Sequence, residues 1–125
     1  MHKHLPDDLY RMKNHNQYNG GIADCWYSGA IRDLWVEYKF VGVPKRDDTI
    51  IVPGLSKLQS GWLTARAREG RNVAVIVGCK EGGVILCPHQ WESLSAGAFR
   101  QLIQARKVIA NRIVAFTNTK SCTSL

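Results

Sequence analysis

A mixed α/β domain, with a four- or five-stranded sheet flanked by helices, is the fold class this sequence predicts, on three observations. Residues 22–28 and 33–41 are two β-rich runs joined by a short turn. An amphipathic stretch from Ser56 to Glu69 is followed by the apolar run Val73-Ala74-Val75-Ile76-Val77. Finally, 125 residues with 45% apolar side chains suffice for one sizeable core but leave no room for a second, so 1–125 reads as one domain.

Taken in order, Pro6 to His15 is read as a first helix: proline is tolerated in an opening turn, and Asp7 and Asp8 suit a helix N-terminus. A polar loop follows to Gly21. Ile22 to Ser28, bounded by Gly20-Gly21 and Gly29, is one arm of a hairpin whose loop is Gly29-Ala30-Ile31-Arg32. The other arm alternates. Successive side chains of a strand point to opposite faces, so Asp33, Trp35, Glu37 and Lys39 share one side, and Leu34, Val36, Tyr38 and Phe40 share the core side. If Ser28 faces Asp33, Asp24 falls directly opposite Glu37. Directly opposed Cβ atoms lie about 4.5–5.5 Å apart, which forces the two carboxylates together unless a cation sits between them. A divalent metal is the simplest remedy.

The long connection Gly42 to Gly54 carries Lys45-Arg46-Asp47-Asp48 and has two readings, a basic loop touching a polyanion and a solvated turn. In the helix from Ser56 to Glu69, Leu55, Leu58, Gln59, Trp62, Leu63 and Arg66 fall on or near one face. Gln59 is the odd member, because burying an amide without partners costs about 1–3 kcal/mol. Beyond Gly78, Val84 to Cys87 reads as a strand, Trp91 to Ala96 as a short helical piece, Ala98 to Val108 as an amphipathic helix and Arg112 to Phe116 as an edge strand. Cys25, Cys79, Cys87 and Cys122 lack the two-residue spacing of zinc or redox pairs and read as thiols, Cys25 on the core face.

Lys plus Arg number 17 against 10 acids, and the resulting +7 suits a polyanionic partner, nucleic acid being the commonest; solubility alone is the bland alternative. No apolar run reaches membrane-span length, and Met1-His2-Lys3-His4 is not a signal peptide. The expectation is an intracellular protein without membrane contact, in a host cytoplasm if a phage encodes it.

Gly21-Ile22-Ala23-Asp24 followed by Glu37-Tyr38-Lys39 resembles the core signature of the PD-(D/E)XK nuclease superfamily, with Ala23 where the name-giving proline often stands. Leu55 to Leu63, then Gly70 and the strand Val73 to Val77, resembles the serine, glutamine and tryptophan-leucine helix and strand of the VRR-NUC branch. Together these motifs cover Gly20 to Gly78. The resemblance implies a restriction-endonuclease-like core and a Mg²⁺-dependent DNA endonuclease, with Mn²⁺ as a substitute metal. Asp24, Glu37 and the Tyr38 carbonyl would hold the metal, and Lys39 would contact the attacking water or the phosphate. Gln59 would lie near this cluster, orienting Lys39 or a metal-bound water. Asp8 would be a further metal ligand if its helical face, shared with Leu5 and Met12, meets the site; otherwise Asp7 and Asp8 serve only the helix N-terminus and the site holds one metal. Lys45, Arg46, Lys57 and Arg66 are the expected DNA contacts. Stand-alone members resemble Holliday junction resolvases, which implies a homodimer acting on branched DNA. The alternative is a non-catalytic nucleic-acid-binding module on the same fold.

Overall fold

The computed structural model describes residues 4–5, the backbone of 10–13, and 21–125. Its centre is a five-stranded sheet in the order β1-β2-β3-β5-β6. Strands β1 (Tyr10–Lys13), β2 (Cys25–Ser28) and β3 (Asp33–Phe40) pair antiparallel. Helix α1 (Lys57–Arg68) then crosses over to β5 (Val73–Cys79), which lies parallel to β3 and turns back antiparallel into β6 (Gly82–Leu86). A two-stranded ribbon joins β4 (Ile50–Ile51) to β7 (Leu94–Ser95), and helices α2 (Ala96–Leu102) and α3 (Arg106–Asn118) close the chain. No described helix is long and apolar enough to cross a membrane.

Both faces of the sheet are covered. Leu34 and Val36 of β3 join Cys25, Tyr27 and Ile76 under Ile109, Ala110, Ile113 and Phe116 of α3. On the opposite face Val75, Val77 and Val84 pack with Leu63 of α1 and Phe99 of α2. At about 25 cal/mol per Å² of apolar surface, each fully buried Leu, Ile or Phe contributes roughly 1.5–3 kcal/mol to this arrangement. Trp62 fixes α1 against the sheet through an edge contact with Trp35, centroids 5.4 Å apart, and Trp35 in turn meets Trp26 at 6.0 Å.

The hairpin register is the one expected: Ser28 pairs Asp33 and Cys25 pairs Val36. Several expectations are corrected. Residues 10–13, expected within a helix from Pro6 to His15, form the edge strand β1, because an unpaired β2 edge offers the backbone a ladder that outweighs a weak helical pattern. Arg112 to Phe116, expected as an edge strand, lies within α3, where Ile109, Ala110, Ile113, Phe116 and Thr117 recur at helical spacing and are buried. The expected helix 98–108 is two helices interrupted at 103–105, where Gln104 exchanges backbone hydrogen bonds with Gly83 at 2.8 and 3.0 Å. Trp91 to Ala96 is not helical, since Ser95 caps α2 by accepting from the Ala98 N–H at 3.1 Å and Leu94 and Ser95 pair with β4. Leu58 and Phe40, placed inward by their periodicities, are 66% and 69% exposed, lying where α1 begins and β3 ends.

Candidate nuclease site

Three local features bring the site residues together. Gly21 adopts φ +97°, and a Cβ there would stand 2.5 Å from the Leu58 carbonyl oxygen, so only glycine lets the chain pass this close to the first turn of α1. Three residues later Asp24 stands just before β2, opposite Glu37 by continuation of the register. The odd residues of β3 turn their N–H groups toward β5, as the bonds Trp35 N–H to Asn72 O at 2.9 Å and Val41 N–H to Gly78 O at 3.0 Å show. The even residues face β2, and the Tyr38 N–H donates to Asp24 Oδ2 at 3.2 Å. A strand residue's N–H and C=O point to the same edge, so the Tyr38 carbonyl also faces the side where Asp24 stands.

Ser56 caps α1 in a reciprocal box. Its Oγ accepts from the Gln59 N–H at 3.1 Å, and its own N–H donates to Gln59 Oε1 at 2.9 Å. With Oε1 so occupied, the Gln59 amide presents Nε2 to Glu37 Oε2 at 3.3 Å. The amide thus serves Glu37, rather than Lys39 as the sequence suggested. Lys39 Nζ lies 3.9 Å from the same oxygen.

Glu37 is 1% exposed, and its other oxygen, Oε1, is buried without a hydrogen-bond partner. Burial first, then the Asp24 carboxylate beside it, raises the Glu37 carboxyl from 4.5 to about 8, against a smaller downward pull from Lys39. The fold therefore holds a proton on Glu37 that the unfolded chain would release near 4.5. Stability from this group is full below that value and is lost as pH rises through about 8. The metal-free protein is expected to melt lower at pH above 8 than near 5, with Glu37→Gln flattening the dependence; a scan of melting temperature against pH checks this. In a domain of this size each kcal/mol corresponds to roughly 3–6 °C.

A divalent cation fits these residues. Both carboxylates are hard oxygen donors, and a buried oxygen with nothing to pair is what an oxygen-seeking cation would satisfy. No cluster of three or more His, Cys, Asp or Glu side chains occurs among the described residues, so the set is two carboxylates with the Tyr38 carbonyl at hand. Asp7 and Asp8 lie outside the described residues.

The basic residues are placed unequally. Lys45, Arg46 and Lys57 are exposed, and Arg46 pairs with Asp48 at 3.1 Å. Their loop is tethered: the Asp47 carboxylate pairs with Arg100, its carbonyl accepts from Gly97 N–H at 3.0 Å, and Thr49 O accepts from Ala96 N–H at 2.8 Å. Arg66 is engaged by Glu69 at 2.8 Å and lies over the Trp62 ring at 5.5 Å, so a phosphate would compete with both. Ser56 is the functional neighbour that sequence reasoning passed over; its signal was the S-x-x-Q spacing of a capping box.

An acid pair at the end of a β-hairpin, with a helix crossing over to a parallel strand, defines the restriction-endonuclease-like fold class. The chain is similar to Hjc of Archaeoglobus fulgidus, a Holliday junction resolvase from an archaeal hyperthermophile, with a TM-score of 0.52 and 13% identity over 82% of this chain and 88% of that one. No family model matches the sequence, and no curated protein matches it. At that identity the likeness shows the fold.

Gln59→Glu separates the helix cap from the site. A carboxylate at this position still accepts from Ser56, so the melting temperature should hold, but it cannot donate to Glu37. Losing a hydrogen bond to a charged group costs about 1.5–3 kcal/mol, so cleavage should fall roughly ten- to a hundredfold. A parallel loss of melting temperature and cleavage would make the amide merely structural.

Proposed function

We propose that this chain is a Mg²⁺-dependent DNA endonuclease of the PD-(D/E)XK type, related to the VRR-NUC branch and acting on branched DNA. The observation that carries the reading is Glu37, a buried carboxylate beside Asp24 with one oxygen unpaired. A fold released from catalysis gains nothing from keeping two acids in repulsion. Asp24, Glu37 and the Tyr38 carbonyl would hold the cation, with Mn²⁺ as a substitute. When bound, it supplies the positive charge against which a phosphodiester and its attacking water can be polarised.

The chain's own residues supply position and charge. Tyr38 N–H holds one Asp24 oxygen, and Gln59 and Lys39 hold Glu37 Oε2, which leaves Oε1 turned toward the cation. Lys39 keeps its ammonium form beside two acids and a phosphate, and so stabilises charge that develops as the phosphorus is attacked rather than acting as a base. Lys45, Arg46, Lys57 and Arg66 would contact the DNA backbone. One domain carries one site, and symmetric cutting of a four-way junction calls for two in fixed relation, which a two-fold homodimer provides.

Linear, nicked, flapped and four-way DNA incubated with Mg²⁺ or EDTA test the reading. Cleavage is expected only with Mg²⁺ and fastest on branched substrates, by a protein that sediments as a dimer. Binding should weaken with salt, the log–log slope falling by about 0.9 per neutralised phosphate. A monomer cutting linear and four-way DNA equally would leave the endonuclease without junction preference, and no cleavage of any substrate would remove the enzyme.

A further inference from the structure

We propose that the cleft beside the acid pair receives an unstacked nucleobase of the bound strand, with the Phe40 ring as its stacking surface; this rests on the nucleic-acid reading above and deepens it. Phe40 ends β3, next to Lys39, and is 69% exposed although Leu34 and Val36 on the same face are buried. Its ring lies over Gly78, its register partner on β5, where an added Cβ would come 3.2 Å from Cδ2. The cleft, about 730 Å³, is lined by Asp24, Lys39, Phe40, Gly78, Gly83 and Arg106 among others. That volume lies within the roughly 300–1,000 Å³ of small-molecule sites.

The glycines expose flat backbone where side chains would otherwise fill the space, leaving a slot suited to a planar ring. Two cations border it. Arg106 is anchored by a 2.7 Å bond from Nη2 to the Cys79 carbonyl, and its guanidinium has further donors. Basic residues flanking an aromatic ring are the combination that binds single strands: the charges hold the backbone and the ring takes any base. Because Asp24 and Lys39 belong to both cleft and site, a strand with a phosphate at Lys39 brings an adjoining base to Phe40. A base within duplex stays stacked on its neighbours, so only unpaired nucleotides reach the ring. Such selection gives a physical basis for preferring flaps and junctions.

The test is binding in EDTA, where no cleavage occurs, of a duplex with a short flap and of its fully paired counterpart, with 2-aminopurine at the first unpaired position. Wild type should favour the flapped DNA and quench the probe on binding. Phe40→Ala should lower the flapped-to-paired affinity ratio roughly tenfold and abolish quenching, and Phe40→Trp should keep both. Equal melting temperatures of the three proteins are expected for so exposed a side chain. An unchanged ratio and quenching in Phe40→Ala would overturn the proposal, as would a shift from dimer to monomer with the ratio intact, which would assign the ring to a second copy of the chain. Mg²⁺-dependent cleavage by wild type without quenching overturns the base cleft alone; quenching without any cleavage upholds the cleft and removes the nuclease.

Discussion

Glu37→Gln and Asp24→Asn are each expected to abolish DNA cleavage while DNA binding stays intact or tightens. The two changes remove charge and leave shape. Glutamine resembles the protonated Glu37 that burial already favours in the metal-free protein, so the fold should accept it, and asparagine keeps an oxygen for the Tyr38 N–H. What disappears is the negative charge able to hold a divalent cation. Phosphate binding, by contrast, loses a source of repulsion. Cleavage time courses paired with binding titrations in EDTA measure the two quantities separately. Either mutant cutting near the wild-type rate would disprove the site assignment.

Lys39→Ala should lower turnover by about two orders of magnitude or more with little change in affinity. Its side chain is 23% exposed, with Nζ 3.9 Å from Glu37 Oε2, and so stands between the buried acid and any phosphate above it. A cation placed where charge grows during attack acts mainly on the transition state, and losses of that kind appear in kcat rather than in KM. Single-turnover kinetics on a labelled junction read both. A raised KM at unchanged kcat would make Lys39 an ordinary phosphate contact.

The site was more legible in the sequence than the fold around it, for physical reasons. Period-two alternation in Asp33 to Phe40 and a four-residue turn set a single hairpin register, and that register alone put Asp24 opposite Glu37. Ser56 and Gln59 announced the start of α1 by a local capping pattern. The elements misread lack such local determinants. Ile113-Val114-Ala115-Phe116 is short and apolar, which fits a strand or a buried helix equally, and packing on the sheet decides for α3. The break at 103–105 contains neither glycine nor proline; it exists because Gly82 and Gly83, twenty residues earlier, let the Gln104 backbone approach. The edge strand β1 likewise depends on a partner that only the tertiary fold supplies.

Occupancy of the acid pair by a divalent cation is the claim on which the catalytic account rests, and calorimetric titration of Mn²⁺ into DNA-free protein near pH 7 tests it most directly. Repeating the titration in buffers of different ionisation enthalpy counts protons. Because Glu37, with its carboxyl near 8, is mostly protonated before metal arrives, binding is expected to release close to one proton per protein. Both the binding and the release should vanish in Glu37→Gln. Undiminished Mn²⁺ binding by that mutant, or wild-type binding with no proton released, would contradict the assignment of the cation to Asp24 and Glu37.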